Sequence, residues 1–207
     1  MASGSGPRWL WYACRTSNCV PLDRDAYPTT VFDGRPYPWP DWACKAPDGG
    51  MHPDGSLGTI DIRVARPPKG CEEYQWSCEF QIWILHRGWY SDIADLVDGS
   101  TAAIGRVLLG KTELNDWVTI HGVRPPILHG SEGSSKRCPT CGSPYSLLRG
   151  RKYFSDRAVL DMPLIVNGSG IFVREDEAIR RNLRTLTGAF KPSLVGLKAA
   201  EADRPSD

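Results

Sequence analysis

An excess of charge of either sign is missing from this chain. Its 207 residues carry 25 Lys and Arg against 24 Asp and Glu, a net charge of +1. Duplex nucleic acid rewards a basic surplus, because affinity comes largely from neutralised phosphates. Any apolar run near the ~20 residues that a membrane-spanning helix needs is missing too. Met1 to Gly6 are small and polar, without the apolar centre of a secretory signal. The expectation is a cytoplasmic protein with no membrane partner. No internal repeat is present. No His-Glu-x-x-His, no Gly-x-Ser-x-Gly elbow and no phosphate-binding Gly/Lys/Ser loop occurs. Acidic pairs such as Glu72/Glu73 and Asp92/Asp95 stand in surface-like settings. The chain is expected not to be an enzyme.

What is present suits a single globular domain. Hydrophobic residues make up 41% and charged residues 24%, and eight Trp supply bulk for a core. Residues 7 to 56 are rich in Pro, Gly and Asp and read as irregular. Within them, three Pro bar residues 34–41 from a helix or a central strand. That loop is expected to cover the core through Tyr37, Trp39 and Trp42. Alternating Ile60, Ile62 and Val64 predict a strand over 59–64, and residues 74–85 read as a second strand paired with it. Trp83 and Leu85 suggest that its end is buried on both faces. Trp89 to Val97 has helical spacing, with Ser91 as a cap. Strands are predicted over 116–121 and 159–166, the latter with Pro163 marking an edge or a bulge. A strand end and a helix follow over 171–186, acidic at its start and basic at its end, stopped by Gly188. The folded domain is expected to span 1–192, with 193–207 a disordered tail.

The sharpest local signal is Arg137-Cys-Pro-Thr-Cys-Gly142. Two Cys separated by two residues let both thiolates reach one tetrahedral zinc ion. Gly142 permits the tight turn of such a knuckle, and the flanks read as hairpin arms. A thioredoxin-like redox site is the rival, but that motif usually opens a helix, and Gly142-Ser143-Pro144 does not. Seven Cys in a reducing compartment read as metal ligands or buried thiols before disulfides. Two further ligands are needed. Cys14 and Cys19, four residues apart, are preferred over Cys71 and Cys78 or a His. Cys44, Cys71 and Cys78 could join His52 in a second site, although an ordinary core Cys78 and two free thiols are the simpler expectation. The basic residues Lys136, Arg137, Arg149, Arg151 and Lys152 flank the knuckle and read first as a solvated rim.

Two Cys pairs, the second being Cys138-Pro-Thr-Cys141-Gly142, are followed by Tyr153-Phe154, an apolar strand, Gly170-Ile-Phe-Val-Arg174 and a helix running to Leu186-Thr-Gly188. This arrangement resembles the double-CXXCG motif family of bacterial paralogues, over roughly residues 116 to 192. The first pair departs from the pattern, having four intervening residues and no following Gly. The resemblance implies an α+β fold: a mixed or antiparallel sheet, few helices and a zinc-ribbon-like knuckle module. Spacing, with this module, gives the expected ligands of a structural zinc as Cys14, Cys19, Cys138 and Cys141. The partner the resemblance implies is a cognate protein toxin, neutralised by stoichiometric binding. The alternative is a zinc-ribbon protein binding nucleic acid through the basic residues around 136–152.

Overall fold

The computed structural model describes residues 7–12, 20–27, 29–32, 35–38, 40–45, 51–54, 57–69, 75–77, 82–132, 136–145, 149–168, 170–183 and 193–197. The chain begins with strand β1 (Arg8–Tyr12), followed by β2 (Thr29–Phe32), β3 (Arg35–Pro38), β4 (Ala43–Lys45) and β5 (Met51–Pro53). Next come β6 (Ile62–Arg63), β7 (Gln75–Ser77), β8 (Trp83–His86), helix α1 (Arg87–Ser91), β9 (Ala102–Leu109) and β10 (Thr112–Gly122). The C-terminal half holds β11 (Leu128–Glu132), β12 (Lys136–Arg137), β13 (Pro144–Tyr145), β14 (Arg149–Phe154), β15 (Leu164–Asn167), β16 (Gly170–Arg174), α2 (Glu175–Arg180) and β17 (Ser193–Leu197). Six strands form one sheet in the order β11-β14-β17-β1-β16-β15, and five form another, β6-β9-β10-β8-β7. Both are mixed: all neighbours are antiparallel except β14 with β17 and β6 with β9. The α+β class with few helices is therefore what the chain adopts. Among the described residues, no helix is long and apolar enough to cross a membrane.

Three apolar layers explain why so many strands lack a polar face. The middle layer lies between the sheets: Trp83, Leu85, Val118 and Ile120 from one meet Tyr12, Leu164, Val166, Ile171 and Val173 from the other. Trp89 and Ile93 from α1 and the turn after it, with Ala178 from α2, close its rim. The outer face of the five-stranded sheet carries Ile62, Ile84, Val107 and Trp117, covered by Val20, Leu22, Trp42, Ile60 and Val64. The outer face of the six-stranded sheet carries Trp9, Phe154, Ile165, Phe172 and Val195. Successive residues of a strand point to opposite faces. Leu164, Ile165 and Val166 are accordingly all buried, two toward the middle layer and one toward the outer.

Several sequence expectations are corrected. Residues 74–85 are not one strand: β7 and β8 fold back on each other, with Gln75 opposite Leu85. Alternation is preserved when a strand reverses through a turn, so the pattern hid the hairpin. The 59–64 segment pairs with β9 instead, through Ile62 and Arg63, although Ile60, Ile62 and Val64 are buried as their alternation requires. Residues 157–161 form a 3-10 turn capped by Asp156, and only Leu164–Asn167 is a strand, at the sheet edge that Pro163 suited. Helix α1 starts at Arg87, where the His86 imidazole accepts the Gly88 N–H; Ser91 instead donates to the Gly88 carbonyl near the end. Helix α2 stops at Arg180, because Asn182 turns left-handed at φ 48°. Ser193–Leu197 lies inside the stretch expected to be a tail, yet it is a central strand between β14 and β1. Arg8–Tyr12, in the stretch read as irregular, is central too. The proline-rich segment does avoid the main sheets: β3 pairs only with β2 in a separate ribbon. Trp42 is buried as expected, while Tyr37 and Trp39 lie outside the residues whose side chains are described.

Backbone contacts pin the sheets in place. A Cβ on Gly122 would run into the Val166 carbonyl, and one on Gly105 into the Ile60 carbonyl. Thr119 Oγ1 donates to that same Ile60 carbonyl at 2.8 Å. Gly58, by contrast, has open space around it. Gly122→Ala is expected to cost at least ~1–3 kcal/mol through forced backbone movement, and Gly58→Ala less than ~1 kcal/mol. Urea denaturation of the two variants checks the contrast.

A pH dependence follows from Asp61. Arg106 donates to its carboxylate from the backbone N–H at 2.7 Å and from the guanidinium Nε and Nη2 at 3.0 and 2.6 Å. The guanidinium hydrogen bond, outweighing partial burial, holds the carboxyl below its usual range. A lowered folded-state pKa stabilises the fold above the unfolded value of ~3.9 and is lost as pH falls through the folded one. Asp61→Asn should therefore lose stability at neutral pH, and the gap to the parent protein should narrow below pH ~4. Denaturation curves at neutral and acid pH read this directly.

Candidate metal centre

Two hairpins build the site. In the first, β4 pairs with β5 so that Cys44 stands directly opposite His52. Directly opposed residues project from the same face of a ribbon, which puts the thiol and the imidazole side by side. In the second, β12 pairs with β13, Arg137 facing Pro144. The knuckle between them holds Cys138 and Cys141. Its turn is closed by the Gly142 N–H donating to the Cys138 carbonyl and the Cys138 N–H donating to the Ser143 carbonyl, both at 2.8 Å. Gly142 has φ 74°, a left-handed conformation that suits the tight turn expected of it. The Arg137 guanidinium braces the turn by donating to the Gly142 carbonyl at 2.9 Å. Ser143 Oγ donates to the Pro53 carbonyl at 3.2 Å and joins the two hairpins.

The result is a set of four ligand atoms, from Cys44, His52, Cys138 and Cys141, all within 4.8 Å of one another. The Cys44 and Cys138 sulfurs are 3.7 Å apart, and Cys141 Sγ is 3.8 Å from His52 Nδ1. A tetrahedral ion with metal–sulfur bonds of ~2.3 Å and a metal–nitrogen bond of ~2.0–2.1 Å has edges of roughly 3.5–3.8 Å. Both separations match. The sulfur–sulfur distance is far beyond the ~2.05 Å of a disulfide, and all three thiols are free. His52 and Cys138 are almost wholly buried. These four residues could hold a metal ion.

The electrostatics point the same way. Burial resists ionisation of Cys138, but the N–H groups of Cys141 and Thr140, with hydrogen bonds from Cys44 and His52, outweigh it and bring the thiol down to about 6. Burial, reinforced by the sulfurs of Cys141 and Cys138, pushes Cys44 up to about 12. One negative charge is accommodated among the sulfurs and a second is opposed. A bound cation reverses that preference, since a metal ion takes its thiols deprotonated. Beside the cluster, burial pushes His121 below its ordinary pKa and favours the neutral ring, against backbone hydrogen bonds to Leu57 and Gly58.

Of the residues the sequence nominated, Cys138 and Cys141 are in the cluster. Cys14 and Cys19 lie outside the described residues, as do Cys71 and Cys78. Among the described residues, Cys44 and His52 are the two that stand with Cys138 and Cys141 in a set that could hold an ion. Those two were considered only for a separate site. Asp48-Gly49 between them is a turn dipeptide, but a two-residue turn there would set Cys44 opposite Pro53, so no local signal fixed the observed register of Cys44 opposite His52. The redox alternative for the knuckle lacks its structural setting, because Cys138 opens a hairpin turn and not a helix.

No family model, curated protein or solved structure matches the chain.

Metal uptake discriminates the ligand sets. One ion per chain is expected, with uptake abolished in Cys44→Ala and in Cys141→Ala and retained in the double variant Cys14→Ser/Cys19→Ser. Elemental analysis of protein prepared without chelator gives the stoichiometry.

Proposed function

We propose that the chain is a zinc protein whose centre is structural, and that it acts by stoichiometric binding of another protein and not by turnover. The observation that carries this is the set of three sulfurs and one imidazole, all within 4.8 Å of one another and with two of the separations at 3.7 and 3.8 Å. Thiolate-rich tetrahedral shells favour zinc, and a shell filled by protein leaves no position for the water that a catalytic zinc keeps. The centre ties the 43–53 hairpin to the 136–145 hairpin, two short ribbons that belong to neither main sheet. Two-stranded hairpins are marginal alone in water, so a metal staple between them has a clear physical purpose.

The partner class comes from the resemblance to the double-CXXCG motif family: a cognate protein toxin, bound and neutralised in the cytoplasm. The knuckle Cys138–Gly142 and the late strand and helix, Gly170–Arg174 and Glu175–Arg180, support that assignment. The competing role, nucleic-acid binding by basic residues around the knuckle, has less behind it. The Arg137 guanidinium is spent bracing Gly142, and the Lys152 ammonium lies 4.0 Å over the Trp11 ring.

Two outcomes are expected. Zinc chelation should open residues 40–57 to protease before the Trp-rich core unfolds, because local openings cost less than global ones; mass spectrometry of the fragments, alongside Trp fluorescence, follows both. Co-expression with a toxin encoded beside this gene should protect in proportion to the ratio of the two proteins and leave a complex stable to size-exclusion chromatography. Protection at a small substoichiometric ratio would mean turnover, and salt-sensitive capture of nucleic acid without a protein partner would favour the competing role.

A further inference from the structure

Between the metal centre and the five-stranded sheet lies a cavity of about 20 Å³, lined by His52 and Ser143 from the centre's side and by His121 and Asn167 from the sheets. His121 is in β10 and only 1% exposed. Its Nε2 is 3.4 Å from the Leu57 carbonyl. A carbonyl can only accept, so Nε2 carries the proton and Nδ1 presents a lone pair. That Nδ1 is fully buried and has no hydrogen-bond partner among the described residues. Buried polar atoms of this kind are normally satisfied, by protein or by ordered water.

His52 offers the complement. Its Nδ1 lies 3.0 Å from the Pro53 carbonyl and 3.8 Å from Cys141 Sγ, so the metal-free ring carries its proton on Nδ1, and a metal ion bound there would displace that proton. With the metal on Nδ1, the ring's proton is confined to Nε2, which becomes a donor. Ligating histidines generally give that second N–H to an acceptor, and the acceptor fixes ring orientation and ligand strength. The cavity holds about one water, which needs ~10–15 Å³ and two to four polar partners.

We propose that one ordered water fills this cavity, accepting from His52 Nε2–H and donating to His121 Nδ1, so that His121 is a positioning residue for the metal ligand His52. The water's second hydrogen is offered to Ser143 Oγ, whose own hydrogen goes to the Pro53 carbonyl. This rests on the zinc reading above and extends it: the sheet core orients the ligand through a single bridging molecule.

The test compares His121→Leu with His121→Asn, near-isosteric residues that both remove the ring but differ in keeping an acceptor near the Nδ1 position. Zinc affinity is read by competition with a chromophoric chelator, and ligand geometry by the visible absorption of the cobalt(II)-substituted protein. His121→Leu is expected to bind one zinc at least ~10-fold more weakly, with a shifted cobalt spectrum, the size of effect typical of such partners. His121→Asn should recover most of both. Equal weakening in the two variants would reduce His121 to packing, and no change in either would leave it without a role; each overturns the water link while leaving the zinc centre standing. A parent protein that binds no zinc overturns both. Should the variants fail to fold, ring nitrogen NMR of the zinc-loaded parent decides: the link requires the Nε2–H tautomer of His121 and an Nδ1 bond at His52, and the reverse at either ring overturns it.

Discussion

The two sheets meet where Gly122, at the end of β10, lies against the backbone carbonyl of Val166 in β15. A few ångströms along the same edge, the Trp83 indole donates to the Asn167 carbonyl at 2.7 Å, a second link from one sheet to the other. Such a contact tolerates no side chain and little sliding, because packed interiors have almost no free volume to give. It fixes the spacing of the middle apolar layer. It also fixes His121, one residue before Gly122, and Asn167, one residue after Val166, on the same small cavity.

The candidate metal centre stands on the far side of that cavity, and its dependence on the junction is geometric. Neither of its hairpins joins a main sheet. Their positions come from Ser143 reaching Pro53, from Trp42 entering the outer layer of the five-stranded sheet, and from the ligand set itself. Apolar packing can place a hairpin only as well as its few buried side chains allow. Four directional bonds to one ion would place it far more sharply.

Electrostatic support elsewhere is peripheral. Arg181 is paired with Asp95 and Glu177, at 2.6 and 3.1 Å, and pins the end of α2 to the turn after α1, and Arg8 reaches Glu175 at 2.8 Å. These pairs are partly solvent-exposed, a setting in which ion pairs contribute little to net stability. They fix how the helices close the rim of the middle layer, whose energy comes from buried apolar area.

The sequence alone determined the local chemistry. Cys138-x-x-Cys141-Gly142 sets a hairpin knuckle because the turn needs a left-handed Gly, and alternation marked Ile60, Ile62 and Val64 as buried. Apolar residues on both sides of Trp83–Leu85 announced a strand covered on two faces. Only the tertiary structure decided what pairs with what. Whether residues 74–85 run straight or fold back, whether β6 lies beside β8 or β9, and whether Ser193–Leu197 is a tail or a central strand all depend on partners distant in the chain. The same holds for the ligands. Spacing within a Cys pair is a local property, so the knuckle was legible; the match between Cys138/Cys141 and Cys44/His52 spans more than 80 residues, and closing so long a loop costs little more than closing a short one. Nothing in the linear order favours one distant pair over another, and the choice falls to the fold that carries both hairpins to one point.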